Sequence, residues 1–154
     1  MQVTRAVDYG IRALVLMARH PVGTRFFLHD LSKQAGLPRN YLVKVLKSLA
    51  DRSIVCSYRG IKGGFSLGLR PDEITLRDVI EAIDGPIAII ACLNEPASNG
   101  CHLKGRCAAR RHLGSIRDGV LRQLEACSIQ DLSREQIVID QRNAPRVAVK
   151  SGQA

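Results

Sequence analysis

Gly36-Leu37-Pro38-Arg39-Asn40-Tyr41-Leu42-Val43-Lys44-Val45-Leu46-Lys47-Ser48-Leu49 reads as a turn running into a helix. Gly36 can take the left-handed backbone that ends a preceding helix. Pro38 suits the first turn of a new one, where its missing N–H goes unused. Leu42, Val45, Leu46 and Leu49 then recur at i, i+3, i+4 and i+7, which makes a single stripe for burial. Arg39, Asn40, Tyr41 and Lys44 fall off that stripe at the start of the helix, and Lys47 lies one turn further on.

Upstream, Leu28, Leu31 and Ala35 mark a short helix that Gly36 ends. Before it, Val7, Ile11, Leu14, Val15 and Ala18 predict an amphipathic helix over about residues 4–19, closed by His20-Pro21-Val22-Gly23. Downstream, Ser53–Tyr58 and Phe65–Leu69 are short strands around the turn Arg59-Gly60-Ile61-Lys62-Gly63-Gly64, a β-hairpin. Thr75, with Asp78 three residues on, has the spacing of a capping box. It opens a helix whose stripe is Leu76, Val79, Ile80 and Ile83 and which Gly85-Pro86 stops. Residues 87–107 read as irregular. Leu113, Ile116, Val120, Leu121 and Leu124 mark a long helix over Ala108–Ala126, despite Gly114 and Gly119. A small helix is expected near Ser133–Ile139, and residues 140–154 read as a disordered tail. The fold class is therefore mainly α with a small β-hairpin. A winged helix-turn-helix fills residues 1–84, a cysteine loop 85–107, and a long C-terminal helix with a short one 108–139.

The 154 residues amount to one domain with an added arm, and 45% hydrophobic residues suffice for a packed core. With no Trp and 4% aromatics, that core is aliphatic. The net charge of +9 points to a polyanionic partner, for which nucleic acid is the usual candidate. No run approaches the length of a membrane span. The apolar stretch Ile11–Ala18 carries Arg12 and follows Asp8, a poor signal peptide, so a cytoplasmic location is expected.

The order of short helix, Gly turn, second helix and hairpin gives the polar residues a task. A helix in a major groove must present polar side chains at its N-terminal end. Arg can pair with guanine and Asn with adenine, while Lys44 and Lys47 are placed for phosphate. Between residues 39 and 62 there are six basic residues (Arg39, Lys44, Lys47, Arg52, Arg59, Lys62) against the single acid Asp51. Gly60, Gly63 and Gly64 let the backbone approach DNA closely and keep the turn narrow, and Arg59 and Lys62 supply its charge, with an arginine for a minor groove. Duplex DNA is the expected partner. No nucleophile–base arrangement is legible and the Gly-rich turn has no Walker lysine pattern, so an enzyme is not expected.

Cys92, Cys101 and Cys107 have the spacing C-x8-C-x5-C. Three thiols in a flexible loop before a helix suit a soft metal or an iron–sulfur cluster, with a fourth ligand from elsewhere; the alternative is three incidental thiols. Cys56, on the first strand of the hairpin, reads as a small buried apolar residue, and Cys127, at the end of the long helix, as structural too.

The sequence resembles the small winged-helix regulators that include IscR, NsrR and RirA. The likeness covers about residues 1–135. It rests on Thr4–Leu14, on Leu37-Pro38-Arg39-Asn40-Tyr41-Leu42 before Lys47, on Arg59-Gly60-Ile61-Lys62-Gly63-Gly64-Phe65-Ser66-Leu67, on Pro71 with Ile74-Thr75-Leu76, and on the three loop cysteines. It implies a homodimer in which the long helix after Cys107 crosses its partner and two reading heads meet a palindromic operator. It also implies a cluster on Cys92, Cys101 and Cys107, with 4Fe–4S favoured over 2Fe–2S. The IscR type takes a His three residues after its last cysteine, where this chain has Arg110. The NsrR type takes an Asp from the first helix of the other subunit, which Asp8 matches; His102 and His112 are rival ligands. The x8 gap is longer than the x5 of both types. The function implied is a repressor whose operator affinity follows a cluster that senses nitric oxide, redox state or iron supply. The alternative is cluster-free control by thiol oxidation or by a bound enzyme.

Overall fold

The computed structural model describes residues 3–60, 63–93, 103 and 105–143. Its elements are α1 (Arg5–Met17), α2 (Leu28–Ala35), α3 (Arg39–Asp51), β1 (Val55–Tyr58), β2 (Gly64–Leu67), α4 (Leu76–Ile83), a 3-10 turn at Ala91–Leu93, α5 (Ala108–Glu125) and α6 (Ile129–Asn143). The mainly helical fold with one antiparallel hairpin is the class expected.

Helices α1 and α4 start where a threonine satisfies their free amides. The Thr4 hydroxyl accepts the Val7 N–H at the head of α1. Thr75 and Asp78 form the expected reciprocal capping box at the head of α4. Between α2 and α3 the chain turns at Gly36, whose φ of 65° is left-handed. Ser32 fastens this turn twice: its carbonyl accepts the Leu37 N–H at 2.9 Å and its hydroxyl donates to the Leu37 carbonyl at 2.6 Å. Pro38 stands one residue earlier than expected, as the N-cap of α3, and neither α2 nor α3 has a side-chain cap.

The hairpin pairs Val55 with Leu67, Cys56 with Ser66, Ser57 with Phe65 and Tyr58 with Gly64. On the other edge of β2, Phe26 forms an isolated bridge by exchanging two backbone hydrogen bonds with Phe65, at 2.8 and 2.9 Å. Both strands are slightly shorter than expected, because Ser53 takes a positive φ before β1 and Gly68 packs on the Ser53 carbonyl after β2.

The main core joins Leu14 and Met17 of α1, Leu31 of α2, Leu42, Val45, Leu46 and Leu49 of α3, Ile54, Val55 and Leu67 of the wing, Ile74, Val79 and Ile129. A second cluster places Val7, Ile80 and Ile87 against Leu121 and Leu124 of α5. On α5 no residue is buried, and Ile116 is 55% exposed.

The largest departure from expectation is α6. The small helix at 133–139 is in fact 15 residues long and runs into the segment read as a tail; residues 144–154 lie outside the described part. Its start is a second S/T-x-x-D box: the Ser128 hydroxyl accepts the Asp131 N–H while the Asp131 carboxylate accepts the Ser128 N–H. Fully buried Ile129 donates its N–H to the Ile74 carbonyl at 2.8 Å, and the Leu76 N–H reaches the Cys127 carbonyl at 2.9 Å. The helix then packs on α1 and is tied there by Arg19 and Asp140 at 2.7 Å.

Candidate nucleic-acid interface and cysteine site

Burial divides α3 cleanly. Leu42, Val45, Leu46 and Leu49 are buried, while Arg39, Asn40, Tyr41, Lys44 and Lys47 are exposed. The exposed set therefore shares the face opposite the core, as its off-stripe spacing required. Tyr41 is 62% exposed, yet one edge of its ring meets Tyr9 of α1, with centroids 6.4 Å apart and planes at 76°. That contact limits where the phenol can swing.

The wing stands beside the head of α3. Phe27, His29, Asp30, Arg39, Tyr58 and Gly63 share the lining of one open groove between them, so α2, α3 and the hairpin present a joint surface. Arg59 is exposed next to Gly60, whose φ is 94°. Gly63 leaves no space for a side chain: a Cβ would lie 2.6 Å from the Tyr58 carbonyl oxygen. Lys62 lies outside the described residues. Reading the sequence missed His29 and Tyr58. The position of Tyr58 next to Arg59 was a usable signal, whereas nothing local brings His29 to the wing.

Among the described residues, the cations of this surface are not ion-paired, a property they share with Arg110, Arg111 and Arg122 at a second groove. Arg12, Arg19, Arg70, Arg77 and Arg117 each pair with a carboxylate. Among the described residues no ion pair engages Arg39, Lys44, Lys47 or Arg59. Cations without an ion-pair partner around the uncapped start of α3, whose first turn holds no acid, form a surface suited to a polyanion, with Asp30 of α2 the one acid among the described residues that line the groove.

Cys92 lies in the 3-10 turn and Cys107 is the N-cap of α5; both are half-buried. Arg110 links them. Its backbone N–H is donated to Cys107 Sγ at 3.4 Å and its guanidinium to the Cys92 carbonyl. Two turns on, Arg117 donates to the Leu93 carbonyl at 3.2 Å, so two arginines of α5 hold the 3-10 turn. An open groove of about 550 Å³ beside Cys107 is lined by Arg110, Arg111 and Arg122. Cys101 and His102 lie outside the described residues, and His112 is exposed. Among the described residues no three His, Cys, Asp or Glu side chains are grouped to hold a metal. Asp8 is on α1, where both its oxygens accept from Arg12 at 3.0 Å. Within one chain the structure therefore joins Cys92 to Cys107 but gives Asp8 a different partner. Cys56 is exposed on the wing, contrary to the expectation of a buried thiol, because β1 turns it out. Burial, with Asp131 and Glu135 nearby, pushes the Cys127 thiol up from its ordinary pKa.

The chain is similar to CymR (YrzC), the global cysteine regulator of B. subtilis, at 27% identity over 88% of this chain and 98% of that one, with a TM-score of 0.68. The oxidized form of Staphylococcus aureus CymR gives 21% identity over 86% and 96%, with a TM-score of 0.63. IscR of T. potens gives 20% identity over 88% of each chain, with a TM-score of 0.64. Residues 3–135 match Rrf2, the iron-dependent transcriptional regulators. The protein belongs to the Rrf2 family and is a transcription regulator, not an enzyme.

Proposed function

We propose that this regulator is a homodimeric, cytoplasmic repressor that reads a palindromic operator with α3 and the wing, its affinity set by an iron–sulfur cluster. The observation that carries the DNA reading is the surface of unpaired cations on α3 and the wing. In it Arg39 and Asn40 contact bases, Tyr41, Lys44 and Lys47 contact phosphates, and Arg59, Lys62 and Gly63 bring the wing to the minor groove. Ile116 and the half-buried apolar side chains of α5 supply a surface for a second copy.

The donor chemistry fits a cluster. Cys92 and Cys107 are soft ligands tied to one arginine, and three arginines line the groove where an anionic centre adds charge. Cys92, Cys101 and Cys107 hold it, and Asp8 of the partner subunit completes the set. Arg12 holds Asp8 only as an exposed pair, which is weak and easily exchanged. When bound, the cluster would supply reactivity toward nitric oxide or oxygen, and its absence would report iron shortage. The remaining residues convert its state into spacing between the two reading heads.

Anaerobic purification with a visible spectrum and iron and sulfide counts tests the reading. Stoichiometric iron and sulfide, lost on Cys107→Ala, is the expected result. A colourless, iron-free protein from iron-replete cells rejects the cluster. The likeness to CymR, a cysteine regulator with an oxidized form, favours a second reading, control by the thiols themselves. Iron-free protein whose DNA affinity changes reversibly with thiol oxidation would establish it.

A further inference from the structure

We infer that Arg25 is a DNA phosphate contact, presented by the ring of Tyr58 as a fixed part of the wing. This rests on the DNA-binding reading above. Phe26 is buried and bridged to Phe65 of β2, so a single antiparallel bridge fastens the extended segment before α2 to the edge of the hairpin. Strand alternation then turns the neighbours of Phe26 outward: Phe27 is 52% exposed and Arg25 is exposed as well. The Arg25 guanidinium carbon sits 4.0 Å above the Tyr58 ring. The ring is itself held, because its hydroxyl lies 3.3 Å from Oγ of buried Ser66 across the hairpin.

This stack suits an anion. A planar guanidinium over an aromatic face keeps its edge N–H donors free and loses little further freedom on meeting a negative group. Among the described residues no carboxylate is paired with Arg25. Tyr58 also lines the groove shared with Arg39 and Gly63, and Arg59 comes directly after it in the chain. Arg25 thus adds a cation to the wing from a part of the chain about thirty residues away, and its planar donors match phosphate oxygens.

Binding of the full-length protein to a mixed-sequence DNA duplex, measured between 50 and 200 mM salt, reads out one phosphate contact directly. Arg25→Gln is expected to weaken binding about five- to tenfold near 0.1 M salt and to reduce the log–log salt slope by about 0.9. Tyr58→Leu leaves net charge unchanged yet is expected to lose part of the same affinity, while Tyr58→Phe, which keeps the ring but not its hydrogen bond with Ser66, is expected to lose less. Lys44→Ala, a phosphate contact in the parent reading, serves as the reference. If the wild type does not bind, or Lys44→Ala binds as well as the wild type, the DNA reading itself fails. If the wild type binds and Lys44→Ala weakens it, but Arg25→Gln keeps both affinity and slope, the Arg25 assignment alone is overturned. A loss with Arg25→Gln at unchanged slope and lowered melting temperature also overturns it, since the residue would then only brace the wing.

Discussion

Gly64 shows how much one missing side chain can decide. It faces Tyr58 across the hairpin, with φ at 153°, and a Cβ there would lie 2.6 Å from the Phe26 carbonyl oxygen. That oxygen belongs to the rung joining residue 26 to the wing, so it cannot retreat without breaking the Phe26–Phe65 pairing. Gly64→Ala is expected to destabilise the protein by roughly 1–3 kcal/mol in denaturant unfolding, through strain and overpacking. It should weaken DNA binding beyond that, because the wing loses its anchor. A second prediction concerns thiols. Raised by burial, Cys127 holds less thiolate at neutral pH, whereas Cys56 is exposed on β1. Alkylation followed by mass spectrometry should modify Cys56 well before Cys127; equal rates would contradict the burial argument.

At the scale of elements, the capping boxes explain why one helix was easy to find and another was not. Thr75-x-x-Asp78 leads into a clear apolar stripe, and helix α4 was legible. Ser128-x-x-Asp131 has the same spacing, but it opens the run Ile-Gln-Asp-Leu-Ser-Arg-Glu-Gln, in which Ser133 is buried and most other positions are exposed. Polarity there hid the start of α6. Ser128→Ala should destabilise by about 0.5–2 kcal/mol at neutral pH, as the loss of a helix cap does. The effect has a definite pH dependence. Donation from the Ser128 hydroxyl and N–H holds the Asp131 carboxyl below its ordinary range. A depressed folded value contributes stability above the unfolded aspartate pKa of about 3.9, and that contribution is lost as pH falls through the folded value. Wild type and Ser128→Ala should therefore converge in melting temperature as pH drops below about 4, and a constant gap would assign the penalty to something other than Asp131.

For the molecule as a whole, Ile129 links the C-terminal arm to the reading head. It is fully buried in the core that contains Leu14, Leu42 and Ile74. Ile129→Ala is expected to cost about 2–5 kcal/mol. A fragment ending at residue 84 lacks that side chain and the whole of α6, so it should melt without cooperativity; a sharp calorimetric transition for it would show that 1–84 is self-sufficient. The arm also carries the surface left uncovered in one chain. Ile116 is more than half exposed on a helix with no buried residue. If α5 joins two copies as proposed, Ile116→Asp should shift sedimentation toward a monomer and reduce operator affinity with it, since the two half-sites of the proposed palindrome would then bind independently.

By itself, the sequence determined the elements whose signals are local. The stripe of α3, the left-handed turn at Gly36, the Gly-rich hairpin and the box at Thr75 each depend on residues within a turn or two of one another. So does the placing of Arg39, Asn40, Tyr41, Lys44 and Lys47 on one face, which helical period alone requires. Tertiary structure decided what depends on residues far apart in the chain: the Phe26 rung that docks the wing, Arg25 over Tyr58, Arg110 between Cys92 and Cys107, and Ile129 in the main core. Each of these joins positions distant in the chain through packing and hydrogen bonding, and no periodicity along the chain encodes such a meeting. The stretch from Gly36 to Leu49 could therefore be read as a recognition helix before its surroundings were known. The wing, arm and cysteine turn that serve it took their places only when the core closed.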